Sequence, residues 1–358
     1  MHPTWIGGRR RIIFHAATLV AFVLLFLAPV AGRVQDTLPA SLSDREFWAL
    51  TEQLSEPDGY FRSNSGSPDN LLSNEGSVSV MAAGLAERAK PGGVYVGVGP
   101  EQNFTYIAAM RARIAFISDI RRGNLHLHLL YKAVFEMSAD RVDFVARLFS
   151  GKRLEDLPRT SSANRLLNAY SAADPVTEEV FRSNLSAVNN HLTKTRQLPL
   201  SAEDLSGIEY VARQFHRFGP AIDYVSSVRG SAPGSAGSYA RIQTAWDSRG
   251  AERTYLATEE TFAFVKSLQS RNLIVPVVGD FAGPKALRAI GAYVRERGAT
   301  VGAFYVSNVE QYLQRNGVWA SFCANFASMP LDANSVFIRP SARAGTLESM
   351  ASEASQCK

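Results

Sequence analysis

Cysteine is nearly absent from this chain: its 358 residues include two, Cys323 and Cys357. That excludes a scaffold built on disulfides, and with no histidine near either residue in sequence a cysteine nucleophile has no support. In an oxidising compartment the two can pair and staple the tail to the body; two free thiols fit the sequence equally well. Histidine is scarce too. His126 and His128 are two apart on a helical pattern and so face different ways, and His2, His15, His191 and His216 form no ligand spacing, so no metal site is expected. Gly-x-Ser-x-Gly, P-loop and Cys-x-x-Cys motifs are missing, which removes the usual signatures of a serine hydrolase, a phosphate-loop nucleotidase and a thiol oxidoreductase. Long Lys/Arg blocks are missing as well. Of the net charge of +5, three units come from Arg9, Arg10 and Arg11, in a stretch (1–32) without a single acid, which leaves +2 on the rest. No nucleic-acid partner is therefore expected. With 46% hydrophobic residues, overall disorder is excluded as well.

What the chain does have at its start is Ile12–Val30, nineteen residues with His15 as the only strongly polar member, between the three arginines and Ala31-Gly32-Arg33. A basic flank, an apolar run and small residues have the form of a secretory signal, and the run is just long enough to span a bilayer. Residues 1–32 are thus read as a signal peptide or an N-terminal membrane anchor. Both readings place the body outside the cytoplasm, released or tethered, because the basic flank stays inside.

Residues 33–46 read as a polar linker. Apolar spacing predicts helices over 44–54 and 77–90, the second stopped by Pro91-Gly92-Gly93. From there short β-rich runs alternate with helices: strands at 94–98, 114–118, 254–257, 273–278, 300–306 and 335–338, helices at 102–110, 120–137, 259–269 and 284–297. Continuous apolar strands between helices point to an α/β fold with a mostly parallel, doubly wound sheet covered on both faces. The body is taken as 47–341, with a helical insertion at about 139–252, and 342–358 as a frayed tail.

In such a sheet ligands bind beyond the carboxyl ends of the strands. Gly97-Val-Gly99-Pro-Glu101-Gln102-Asn103 carries a strand through a glycine turn into a helix, so backbone N–H groups can approach a ligand closely. Twenty-two residues beyond Gly97, Asp119 closes the next strand, where an acid is placed to accept from both hydroxyls of a ribose. Arg121, Asp280, Asn308 and Glu310 follow strand ends, and the loop 70–75, with Asn74 and Glu75, precedes the first helix of the unit. Asp280 or Glu75 can act as a general base, a carboxylate in a partly dry cleft having a raised pKa; equally, Asp280, Asn308 and Asn74-Glu75 can cap the helices that follow them.

Gly97, Gly99 and Asp119 resemble the corresponding positions of the class I S-adenosylmethionine-dependent methyltransferase fold, a Rossmann-like fold, over roughly 77–308. The phrases Val98-Gly-Pro-Glu-Gln-Asn-Phe-Thr-Tyr106, Phe116-Ile-Ser-Asp-Ile-Arg-Arg122 and Val278-Gly-Asp-Phe-Ala-Gly-Pro284 are similar to those of a bacterial family of uncharacterised proteins. The resemblance implies a small-molecule ligand, with S-adenosylmethionine the cofactor to test. Cofactor contacts would fall on Gly97, Gly99, Glu101, Gln102 and Asp119, and substrate contacts on Asn74, Asn103, Arg121, Asn308 and Glu310. Two positions depart from the methyltransferase pattern: Tyr95 stands where an acid is usual, and Glu101 where a third glycine is usual. A carboxylate at Glu101 can hold a ligand's ammonium or fill the space of a cofactor. The other reading of the chain is a non-catalytic module of the cell envelope that kept the fold and lost the cofactor site.

Overall fold

The computed structural model describes residues 1–4, 36–61, 70–224, 237–340 and 345–357. The apolar run 12–30 lies outside them, and no described helix is long and apolar enough to cross a membrane. Everything below concerns the unit from Gln35 onward.

Its centre is a six-stranded sheet of order β3-β2-β1-β4-β5-β6. The strands are β1 (Val94–Gly97), β2 (Ile114–Asp119), β3 (Ile274–Val278), β4 (Val301–Tyr305), β5 (Val336–Pro340) and β6 (Gly345–Ser349). The first five pair parallel, and β6 runs antiparallel along β5 at the edge. β1, β2 and β3 are wholly buried, which accounts for their unbroken apolar runs.

Alternation along the strands divides the core in two. On β4, Phe304 meets Phe322 of one helical layer, while the next residue, Tyr305, meets Tyr106 of the other. The register aligns Phe116, Val96 and Phe304 across three strands, and Phe116 accordingly packs on Tyr293 in the Phe322 layer. The helices begin with α1 (Asp44–Leu54), α2 (Val78–Arg88), α3 (Gln102–Ala109) and α4 (Arg122–Met137). Between α4 and the next strand the chain runs through α5 (Arg141–Leu148), α6 (Ala163–Ser171), α7 (Glu178–Asn190), α8 (Ala202–Phe218), the short α9 (Tyr239–Gln243) and α10 (Glu259–Ser270). α8 packs directly on α4, so this helical stretch lies against the sheet's own layer. Residues 254–257 form a turn, not the expected strand: Thr254 gives its hydroxyl to the Gln243 carbonyl, and Tyr255 N–H donates to Thr105. The last helices are α11 (Ala286–Glu296), α12 (Val309–Arg315), α13 (Trp319–Ala327) and α14 (Met350–Gln356).

Two terminal stretches differ from the sequence reading. In the stretch 33–46, Thr37 and Leu42 donate N–H bonds to Arg297 and Arg271, Leu38 is buried, and α1 starts at Asp44 with a Ser43/Glu46 capping box, so residues 36–46 lie on the body. The tail expected to fray from 342 holds β6 and α14, and Cys357 forms a disulfide with Cys323 of α13. Arg339 reinforces that corner by pairing with Glu310, Glu348 and Glu353. Small polar residues in the tail masked a strand whose partner, β5, supplies the apolar side.

Candidate functional site

The order of the sheet makes successive strands run outward from β1 on one side and from β4 on the other, so the winding reverses between β1 and β4. The loops beyond their carboxyl ends diverge there and leave a crevice. A cleft of about 150 Å³ opens at that place, lined by the turns after β1, β2, β3 and β4 and by the loop before α2. Asn74, Glu75, Gly99, Gln102, Asp119, Arg121, Asp280 and Asn308 all line it, so eight of the twelve residues singled out from sequence share one cleft.

The glycine turn after β1 is held from below. Asn103, fully buried at the start of α3, donates its amide to the carbonyls of Val98 (2.9 Å), Gly99 (3.2 Å) and Pro100 (2.7 Å), and its Oδ1 accepts from the Tyr95 hydroxyl at 2.7 Å. His128 of α4 adds a bond from Nε2 to the Gly99 carbonyl at 2.9 Å. Burial pushes the His128 pKa down to about 4, so the ring is neutral, and because a carbonyl only accepts, its proton is on Nε2. Gly99 has φ +73°, open to glycine, and a Cβ there would make only ordinary contacts, with Asn70 at 3.7 Å and Gln102 at 3.9 Å, so the backbone conformation rather than crowding calls for glycine. Gly97 differs: a Cβ would overlap Asn103 Oδ1 and come within 2.8 Å of the Tyr95 ring. Its glycine makes room for the Tyr95–Asn103 pair, and neither Gly97 nor Asn103 reaches the cleft as a ligand contact.

The acids fall into three settings. Asp119, at the end of β2, accepts from Arg121 N–H (3.0 Å) and from its guanidinium at Nε (3.1 Å) and Nη2 (3.3 Å), with both residues buried. The carboxylate expected to face ribose hydroxyls is thus engaged by its neighbour, and the arginine expected to bind substrate is turned to the acid. Asp280 closes a short turn by accepting from Ala282 N–H at 2.8 Å. It does not cap α11. Glu56, just beyond α1, does so by accepting from the N–H groups of Lys285 and Ala286 (2.8 Å each) and of Asp280 (3.2 Å). Asn308 and the Asn74–Glu75 pair likewise make no side-chain cap.

Glu75 is the most constrained group in the cleft. It is 9% exposed, and its two oxygens accept from Tyr305 and Ser307 hydroxyls at 2.6 Å each. Ser307 holds a left-handed φ of +50° to do this, an uncommon conformation for a serine and one that recurs where a site requires it. Desolvation pushes the Glu75 pKa up to about 7 despite those two donors. Glu101 is fully buried beneath the loop, accepts only from Ser73 N–H at 3.4 Å, and is pushed up to about 8 by burial. It is a neutral acid at pH 7 and does not line the cleft, so its expected contact with a ligand's ammonium is not made. Glu310 is likewise away from the cleft, on Arg339.

The sequence reading missed Tyr305 and His128, which position Glu75 and the glycine turn; Ser307 stands among the polar positions at the strand ends, and Ser73 in the loop 70–75. It also missed the rings at the mouth, where Phe61 and Tyr312 meet edge to face with centroids 4.6 Å apart. His128 carried one usable signal: with His126 it alternates with leucines on the helix that follows Asp119. Among the described residues no group of His, Cys, Asp and Glu could hold a metal ion.

No curated protein matches the chain. A family described as Domain of unknown function (DUF7790) matches residues 71–203 and 225–357, a span that takes in the glycine turn, Glu75, Asp119, Asp280 and Asn308. Since that match covers well over half of its length, the chain belongs to the DUF7790 family.

Proposed function

We propose that this protein is a methyltransferase-like, Rossmann-like α/β domain that binds a nucleoside-like or amino-acid-like small molecule in the cleft at the strand carboxyl ends. The observation that carries this reading is the convergence of four strand-end turns and the loop 70–75 on one crevice, at the point where the winding reverses. The strand order 3-2-1-4-5 followed by one more edge strand supports a doubly wound nucleotide-binding type of sheet, with its last strand reversed. Gly99 at φ +73° supports close approach of a ligand to the backbone. S-adenosylmethionine is the first ligand to test. In this reading the body works outside the cytoplasm, released or tethered by residues 1–32; the Cys323–Cys357 bridge supports an oxidising compartment.

Titration calorimetry of the full chain in mild detergent with S-adenosylmethionine and S-adenosylhomocysteine tests the cofactor. Heat of binding that disappears in Asp119→Ala supports it. Absence of both heat and thermal shift at millimolar ligand removes that cofactor from the reading. A second reading, a binding module without chemistry, is favoured by the closure of Asp119 on Arg121 and by Tyr95 where methyltransferases usually place an acid. Methyl transfer from labelled S-adenosylmethionine to any envelope extract would eliminate it.

A further inference from the structure

The reading of the cleft as a small-molecule site leaves the charge of its ligand open, and the side chains around it bear on that charge. Among the described residues three carboxylates line the cleft, those of Glu75, Asp119 and Asp280, against one cation, Arg121, whose guanidinium lies on Asp119. Gln102, also in the lining and 1% exposed, has an Oε1 that accepts no hydrogen bond among the described residues, and its amide nitrogen reaches only Val98 O at 3.5 Å. Acceptors thus outnumber donors, and one of them is buried and unsatisfied. Glu75 completes the pattern. Among the described residues the groups facing it are Tyr305 and Ser307 from the end of β4, Glu101 just before α3, Tyr106 from α3 and Tyr95 from β1, and none of these is a cation. A carboxylate buried in such company gains a partner only from the cleft side.

Resting on the reading above, we propose that the cleft selects an aminated, positively charged nucleoside, with Glu75 as the counter-ion of its ammonium and Gln102 as an acceptor for a further ligand N–H or O–H group. The ring of Phe61 in the lining, which meets Tyr312 edge to face, offers a surface for the base, while Tyr312 is covered by the Arg315 guanidinium. An anionic ligand is disfavoured by the same three carboxylates.

The probes are 5′-amino-5′-deoxyadenosine and adenosine, which differ in an ammonium against a hydroxyl, titrated calorimetrically into the full chain in mild detergent at pH 6 and pH 8. The probe's alkylammonium is charged at both values. Glu75, with a pKa near 7, goes from about one-tenth to about nine-tenths ionised, so the affinity of the aminonucleoside should rise about tenfold while that of adenosine stays flat. His128 is neutral throughout, and the tyrosines facing Glu75 are raised well above their ordinary range; Glu101, raised to about 8, is taken out of the titration by repeating the measurement in Glu101→Gln. In Glu75→Gln, checked for an unchanged melting transition, the pH dependence and the preference for the amine should both vanish. Equal affinity for the two nucleosides, or a preference that survives at pH 6 and in Glu75→Gln, overturns the inference and leaves the small-molecule reading standing. Failure of both probes where S-adenosylmethionine binds does the same. Failure of all three overturns the inference together with the nucleoside reading it rests on.

Discussion

Gly97 is the position where packing and ligand approach make opposite forecasts. As a ligand-contact glycine it would tolerate alanine with loss of binding and little loss of stability. The structure gives the other result, because an added Cβ overlaps Asn103 Oδ1 and lies 2.8 Å from the Tyr95 ring. Asn103 cannot move without releasing its bonds to the carbonyls of Val98, Gly99 and Pro100 and its bond from Tyr95, all in a fully buried place. Overpacking of a core costs about 1–3 kcal/mol, and each buried hydrogen bond left unmade adds about 1 kcal/mol or more. Gly97→Ala should therefore lose about 3–5 kcal/mol in urea unfolding followed by tryptophan fluorescence. Asn103→Ala vacates much of the space that the new methyl needs. The double variant should accordingly lose less than the sum of the singles, with a coupling of about 1–3 kcal/mol, the range seen for residues in contact. Gly99→Ala supplies the contrast: its Cβ makes only ordinary contacts, none closer than 3.7 Å, so the left-handed backbone alone opposes it, at about 1–2 kcal/mol. Additive losses at 97 and 103, or a Gly97→Ala variant as stable as the parent, would refute the assignment of Gly97 to packing.

Three further outcomes follow from the same geometry. Between pH 5.5 and 7 the buried Glu101, raised to about 8, keeps its proton in the folded chain and loses it in the unfolded one, so stability falls as pH rises. The slope is about 1.4 kcal/mol per pH unit, and urea unfolding across the range should show a flatter profile in Glu101→Gln, a parallel profile counting against burial as the cause. Reducing the Cys323–Cys357 bridge, which spans 34 residues, should cost about 3–4 kcal/mol by loop entropy, seen as a lower melting temperature with reductant that is absent in the Cys323→Ser, Cys357→Ser double variant. Glu56→Ala leaves two N–H groups at the start of α11 and one in the turn after β3 without their acceptor and should destabilise by about 2 kcal/mol, with Glu56→Gln recovering part; equal stability would show that water replaces the cap.

The parallel sheet was legible because β1, β2 and β3 are buried on both faces and write themselves as short apolar runs between helices. Strand ends located the cleft, since Asp119 closes β2 and Gly99, Asp280 and Asn308 stand within three residues beyond β1, β3 and β4. What the sequence hid is pairing among side chains. Asp119 looks like an open acid until Arg121, two residues on, folds back on it. Asp280 looks like the cap of the helix at 284 until Glu56, from a helix more than two hundred residues away, takes that role. Edge strand β6 was invisible because its burial alternates weakly and its polar residues resemble a tail.

The same distinction bears on the chemistry of the cleft. An acid engaged at the expected ribose position and an acid held by two hydroxyls at an unexpected one amount to a relocation of negative charge from the β2 end toward the β4 end. A ligand that follows the charge would seat its positive group near Tyr305, across the crevice from the place a ribose takes in a doubly wound nucleotide fold. Moving the charge back should move the ligand: Arg121→Ala frees Asp119, and Glu75→Gln removes the competing acid. If Glu75 holds the ammonium, Arg121→Ala alone should leave the preference for 5′-amino-5′-deoxyadenosine over adenosine in place. The preference lost in Glu75→Gln should then return in part when Arg121→Ala is added. Calorimetry on the four combinations reads this directly, and a preference that survives Glu75→Gln and strengthens with Arg121→Ala alone would place the ammonium at the β2 end and refute the relocation.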